Sequence, residues 1–321
     1  MIHNFIAGPH VKAEFNEETG AIVLYSRNGT LHPSWLEHAG IKRGDVMSIR
    51  VAEGTVRLPE NASGFDVRTR SSLMLGGLKN VTYIEIEKFD TSNVTNMSGM
   101  FHHCENLLLL DTRFMETSRV TDMNGMFFHC NRLPKIDVSG FDTRNVIKME
   151  FMFYSCYCLK SLDISQFSTS SVTTIAGMFH QCRLLKKIDL GFFDTSNVKN
   201  ARELFCYCIS LKDIHVRNMN TSMMENMASM FSNCPSLTSL DLHGFNTSRV
   251  KDMSRMFAYC NQLEEIDLSS FDTQNVATME SMFCGCKNMK KIIMHPEISA
   301  HTNTNNMFDE CAPDLHIQVP Y

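Results

Sequence analysis

An α/β solenoid, with short parallel strands on a concave side and short helices on the other, is the fold class this sequence predicts. Three observations predict it. Residues 89–104, FDTSNVTNMSGMFHHC, return almost unchanged as residues 245–260, FNTSRVKDMSRMFAYC. The interval between such copies is a constant 26 residues, kept through eight turns without insertion or deletion. Inside each copy the apolar positions first recur every three or four residues and then alternate, the spacing of a helix followed by a strand.

Taken in order, residues 1–69 lack the period and are expected to form a β-rich N-terminal capping region. GAIVLYS, DVMSIRV and GTVRLPE alternate like strands, between turn-forming breaks at Arg27-Asn28-Gly29 and Lys42-Arg43-Gly44. The single tryptophan, Trp35, is expected as a core anchor of this cap. Residues 70–321 are expected to form the solenoid, opening on a worn copy that has Met74, Leu75, Ile84 and Ile86 in the repeat columns. The regular turns follow. Met-Phe pairs run from Met100-Phe101 to Met282-Phe283, with Leu204-Phe205 in one slot, and cysteine keeps step from Cys104 to Cys286. A second worn copy, with Met307, Phe308 and Cys311, closes the array as a capping turn would.

Within one unit, Val94, Met97, Phe101, Cys104 and Leu107 share a helical stripe, with Met100 beside them and Thr91 or Ser92 as N-cap. Leu240-Asp241-Leu242 and Ile266-Asp267-Leu268 alternate as short strands with two side chains inward and one outward. Identical units joined end to end force the strands parallel, about 5 Å apart, and place the helices on the opposite side. One unit alone leaves both flanks of its apolar stripe in water, so stacking is what makes the fold.

The motif carries a resemblance. FDTSNVTxMxxMFxxC preceded by LxxIDLSxF, as in LEEIDLSSF from Leu263 running into FDTQNVATMESMFCGC up to Cys286, closely resembles the BspA-like leucine-rich repeats of bacterial surface proteins. The resemblance spans about residues 70–321. It implies a right-handed leucine-rich-repeat horseshoe, a place at the cell surface or in secretion, and a role in adhesion and protein binding without enzyme activity.

Composition narrows the function classes. With 43% hydrophobic and 20% charged residues and a net charge of -5, the chain is an ordinary globular one with no basic field for nucleic acid or anionic membrane. No apolar run approaches a membrane span, and no export signal is visible, so the sequence itself predicts a cytoplasmic protein with no membrane insertion. Twelve cysteines, most of them in single file at constant period, are expected as buried, reduced thiols.

Catalytic and metal motifs are missing. There is no GxSxG, HExxH or phosphate-binding glycine loop, so no enzyme and no cofactor are expected. The CYC pairs Cys156/Cys158 and Cys206/Cys208, the CGC pair Cys284/Cys286, and His102, His103 and His129 near Cys104 and Cys130 form the outside candidate for a metal. Zinc sites use Cys-x2-4-Cys pairs with four converging ligands, and here one cysteine of each pair belongs to the core stripe, so no metal site is expected.

The outward strand position reads Glu85, Asp111, Asp137, Asp163, Asp189, His215, Asp241, Asp267 and Ile293. Carboxylates in file at about 5 Å repel one another by roughly 1 kcal/mol per pair, so something must offset the charge. Either each Asp accepts hydrogen bonds from backbone or Ser/Thr of the next turn, or the file is a cradle for a basic or amide-rich partner. One turn departs from the rule. Asp213, His215 and Arg217 replace the pattern of Lys135-Asp137-Ser139 and Ser161-Asp163-Ser165, which marks them as a candidate partner-binding patch. Tyr83, Leu109 and Ile293 are apolar or aromatic intruders on the same face. The expected partner is another protein, bound by a monomer or weak oligomer. The alternative is an intracellular regulatory or delivered protein that binds a cytosolic partner.

Overall fold

Backbone donors alternate in direction along each repeat, and that alternation builds the molecule. The structure, a computed structural model, describes residues 1–66, 71, 72, 74–295 and 298–319. It divides into two compact units, residues 1–146 with 152–166, and residues 147–151 with 167–321. Each unit contains stacked 26-residue coils.

The first unit begins with a sheet. β1 (Ile2–Gly8) and β2 (Val11–Asn16) form an antiparallel hairpin, β2 pairs antiparallel with β3 (Ala21–Ser26), and β3 pairs in parallel with β4 (Ser48–Glu53). β4 then pairs in parallel with Tyr83–Ile84, which bridges onward to Leu109. Tight turns are legible in the residues: the Asn16 side chain accepts from the amides of Glu18 and Thr19, and Gly20 closes the turn at φ 64°. Trp35 stands at the start of a single helical turn, α1 (Trp35–His38), fully buried, with its indole N–H donating to Met74 O at 3.2 Å. Coil stacking starts upstream of residue 70, because β5 (Val56–Arg57) pairs in parallel with Phe89–Asp90 and Asn61 with Asn96.

The expected helices are absent from the described repeats. Val94, Met97, Met100, Phe101, Cys104 and Leu107 are all buried as the stripe required, yet their backbone is a chain of turns. Gly99 and His103 are left-handed, at φ 58° and 53°. The amides of Met97, Gly99, Phe101 and His103 donate to Asp122, Asn124, Met126 and Phe128 of the next coil, while those of Met100, His102 and Cys104 donate three residues back. An α-helix spends every interior N–H on the carbonyl four residues earlier and has none left for a neighbour. Coils stacked this closely divide the donors instead, half within the coil and half across it. The second unit repeats the device: Ala201, Glu203, Phe205 and Tyr207 donate to Asn226, Ala228, Met230 and Ser232, with Glu203 and Tyr207 at φ 58° and 61°. Holding non-glycine residues there costs on the order of 1 kcal/mol each, offset by the cross-coil bonds.

Threonine is not an N-cap. Thr221 Oγ1 donates to Asn246 O at 2.9 Å and accepts from Asn246 N at 2.7 Å, clipping one coil to the next, and Thr117 does the same with Asp142 in the first unit. These hydroxyls are buried. The aromatic file is continuous inside each unit. Phe101, Phe127 and Phe153 stack at 5.6 Å between ring centroids, and Phe179 through Phe283 to Phe308 at 5.3–5.9 Å. Parallel strand pairs stand at Lys187–Asp189 with Asp213–His215 and at Glu265–Leu268 with Lys291–Met294, the latter followed by His316–Gln318, whereas the expected strand Leu240-Asp241-Leu242 forms no ladder and leaves Leu240 half-buried.

Candidate functional site

The strand face carries the sequence-predicted residues, and the coil geometry decides what each carboxylate meets. In the first unit, Asp111 Oδ1 accepts from the Arg113 backbone N–H and both oxygens from its guanidinium, at 2.7–3.2 Å. Asp137 accepts from Ser139 N and Oγ, and Asp163 from Ser165 N. These bonds from the residue two positions on hold the carboxyls of Asp111, Asp137 and Asp163 below the usual aspartate range, the side-chain bond contributing most in each case. Glu85 differs, its Oε2 accepting from Val51 N of β4 at 2.7 Å.

In the second unit Asp189 accepts from Gly191 N at 2.7 Å and Asp267 from Ser269 N at 2.8 Å. A Cβ at residue 191 would come within 2.9 Å of Asp189 Oδ1, so glycine keeps that turn open. The self-capping half of the sequence reading is thus observed, with the donors coming from the same turn rather than the next one.

The departing coil is complementary to its neighbours. Asp213 lies in register beside Lys187, and His215 beside Asp189. His215 Nδ1 lies 3.4 Å from Asp189 Oδ2 and its Nε2 3.4 Å from Asp213 Oδ1, while Arg217 Nε reaches Asp241 Oδ2 at 3.5 Å. His243 extends the chain of contacts, 2.8 Å from Asp241 Oδ1 and 3.6 Å from Asp267 Oδ2. The bond from His243 is the largest influence lowering the Asp241 carboxyl. Putting His215 in place of a carboxylate and Arg217 beside Asp241 therefore relieves the acidic file across the strands. Exposed pairs of this kind are worth about 0–1 kcal/mol each, so they order the surface more than they stabilise the fold.

Beside them lies an open groove of about 640 Å³, lined by Asp189, Gly191, Phe192, His215, Arg217 and Asp241 among others. Phe192 is 68% exposed. Sequence reasoning missed it and His243. The signal was available in the columns, since Phe192 shares its position with the similarly exposed Phe114, whereas other coils read Gly140, Gln166, Asn218, Gly244 and Ser270 there. Of the three intruders, Leu109 is exposed, whereas Tyr83 and Ile293 are half-buried.

The cysteine and histidine candidates lie elsewhere. Cys156, Cys206, Cys208 and Cys286 are buried and Cys158 and Cys284 half-buried, and no disulfide joins the described cysteines. His103 and His129 stack at 4.7 Å, while His102 is buried with Nε2 donating to Gly64 O at 2.7 Å. Among the described residues, no three His, Cys, Asp or Glu side chains converge as metal ligands would.

A family model described as "Mycoplasma protein of unknown function, DUF285" matches residues 69–161, 136–215 and 208–316. The chain belongs to the DUF285 family. DUF285 is a repeat family of the same kind as the BspA-like leucine-rich repeats that the sequence resembles. Among solved structures, the DUF285 chain is similar to a leucine-rich repeat protein from Bacteroides ovatus ATCC 8483, at 14% identity and a TM-score of 0.38, over 99% of this chain and 100% of that one. It is also similar to a leucine-rich repeat protein from Eubacterium ventriosum ATCC 27560, at 13% identity and a TM-score of 0.31, over 75% of this chain and 91% of that one. A search of curated proteins returns no match. Among the described residues, no helix is long and apolar enough to cross a membrane.

Proposed function

We propose that this DUF285 chain is a non-enzymatic protein-interaction scaffold that holds its partner on the strand face of its second unit. The observation that carries the reading is the coil Asp213–Arg217. Its side chains depart from the pattern of the file, and His215 and Arg217 line a groove together with the exposed Phe192. An aromatic anchor ringed by ordered charges is how a few residues come to dominate a protein interface. Asp189, His215, Arg217 and Asp241 would set orientation, and the self-capped Asp267 would extend the surface within the same unit. An adhesion role belongs to this proposal. The alternative is a cytosolic partner in a reducing compartment, which suits a core built on thiols.

The experiment is a pull-down from the native host with the wild-type chain, an Asp213/His215/Arg217 triple alanine variant and Phe192→Ala. All three substituted side chains and Phe192 are exposed, so the variants are expected to melt within about 0.5 kcal/mol of wild type. Loss of the same partner from both variants supports the reading. Equal recovery by all three chains removes this face from consideration.

A further inference from the structure

The outer strand of the N-terminal sheet is an interaction edge with its own symmetry. β1 ends the sheet order, so one side of it meets β2 and the other meets no strand among the described residues. Its register with β2 runs Ile2 to Asn16, Asn4 to Glu14 and Ile6 to Lys12, and Glu17 N donates to Met1 O at 3.0 Å. In an antiparallel pair, residues that exchange hydrogen bonds alternate with residues that do not. Residues 1, 3 and 5 therefore spend their backbone groups on β2, and Ile2, Asn4 and Ile6 direct theirs outward.

That edge lacks the usual protection. Exposed edges are blunted by lysine or other charges, by proline, by bulges or by shortness. Here the register shift and the bond from His32 N to Ala7 O come only after Ile6, the pairing is regular from Ile2 to Ile6, Ile2–Gly8 contains no Lys, Arg, Asp, Glu or Pro, and the one titratable side chain, His3, is turned to Glu17 on the same strand pair at 2.8 Å. Ile2 and Ile6 are 59% and 65% exposed. Phe5 faces the other way and stacks on the buried Trp35 at 6.2 Å, which seats the strand on the core.

We propose that β1 is a homodimerisation edge, two copies of the chain pairing β1 against β1 antiparallel about a twofold axis at Asn4. The residues that direct hydrogen bonds outward read Ile-x-Asn-x-Ile, which is the same in both directions. About that axis Ile2 faces the partner's Ile6, Asn4 faces the partner's Asn4, and no charge faces a like charge. A twofold interface uses one patch twice and so demands such self-complementarity. The two sheets continue into one through main-chain bonds, with the four isoleucines covering one another on one face. This inference is independent of the strand-face reading.

The test is sedimentation velocity on the full chain across roughly 1–100 μM, a range that spans ordinary reversible association. Asn4→Pro removes an amide that points away from β2, a substitution edge strands tolerate. Ile6→Lys places a charge on the edge. The wild type is expected to dimerise and both variants to associate at least about tenfold more weakly, with unchanged circular dichroism. The Ile2→Glu, Ile6→Lys double variant brings opposite charges together across the axis and is expected to regain the dimer in low salt. If Asn4→Pro does not fold, Ile6→Lys and the double variant decide. A wild type that stays monomeric throughout overturns the proposal and leaves the edge to a strand from another protein. Folded variants that dimerise as tightly as wild type also overturn it.

Discussion

The Sγ of Cys260 donates to the backbone carbonyl of Phe231 in the preceding coil at 3.1 Å, and both residues are buried. Cys130 meets Phe101, Cys156 meets Phe127, Cys208 meets Phe179, and Cys234 meets Phe205 in the same way, at 3.1–3.3 Å. The thiol is small enough for the crowded stripe and is also a weak donor. It is a second donor to the carbonyls of Phe101, Phe127, Phe179 and Phe205, which also accept the amide of the cysteine three residues on, and it is the donor to Phe231 O.

Removing that donor should cost stability. Cys260→Ala leaves the Phe231 carbonyl unsatisfied and opens a small cavity, so a loss of about 1–3 kcal/mol is expected in urea unfolding. An unchanged midpoint would show that the sulfur is filler only.

The thiols should also be inert. Burial pushes Cys104 and Cys206 up to about 12, and Cys130, Cys234 and Cys260 well above their ordinary value. Thiolate is the reactive form, so it is scarce in this column at neutral pH. Maleimide labelling followed by mass spectrometry should modify Cys158, Cys284 and Cys311, the half-buried ones, and reach the column only after denaturation. Rapid native labelling of Cys130 or Cys234 would contradict this.

The threonine clip can be cut without changing shape. Thr221→Val keeps the volume and removes both bonds to Asn246, at a cost of about 1–3 kcal/mol. Thr221→Ser restores the hydroxyl and should recover most of the loss. Valine and serine variants of equal stability would deny the clip its role.

Acid should loosen the first unit through His102. Burial pushes its imidazole down to about 4 from the ordinary 6.5, against the opposing effect of its bond to Gly64 O. The unfolded chain binds the proton at 6.5 and the folded chain only near 4, so stability is full above pH 6.5 and falls as pH drops towards 4. The whole effect is up to about 3 kcal/mol. Thermal melts at pH 7, 5.5 and 4.5 should show a shallower acid loss in His102→Gln than in wild type. Parallel pH profiles for the two chains would exclude this histidine.

Much of the architecture was legible in the residues. A period of 26 with no slip predicts that Phe101, Phe127 and Phe153 share one environment, and they stack. Strand alternation placed Asp189 and His215 side by side, and they pair in register. Helix was the wrong inference for the MxxMFxxC stretch, because apolar residues three or four apart also line up when overlapping turns replace a helix. Thr91 read as an N-cap for the same reason: a hydroxyl before a supposed helix looks the same whether it bonds its own turn or the next coil. Phe192 was overlooked because its neighbour Phe193 fills the core column, and two adjacent phenylalanines do not announce which one points out.

From the sequence by itself came the identity of the stacking partners, since coils of equal length must bring equivalent positions together. Only the tertiary structure decided where each backbone donor goes, which residues turn left-handed, and what the cysteine and threonine columns bond. Those choices depend on an adjacent coil 25 to 29 residues away being in place. A local pattern of apolar side chains carries no record of that neighbour's carbonyls.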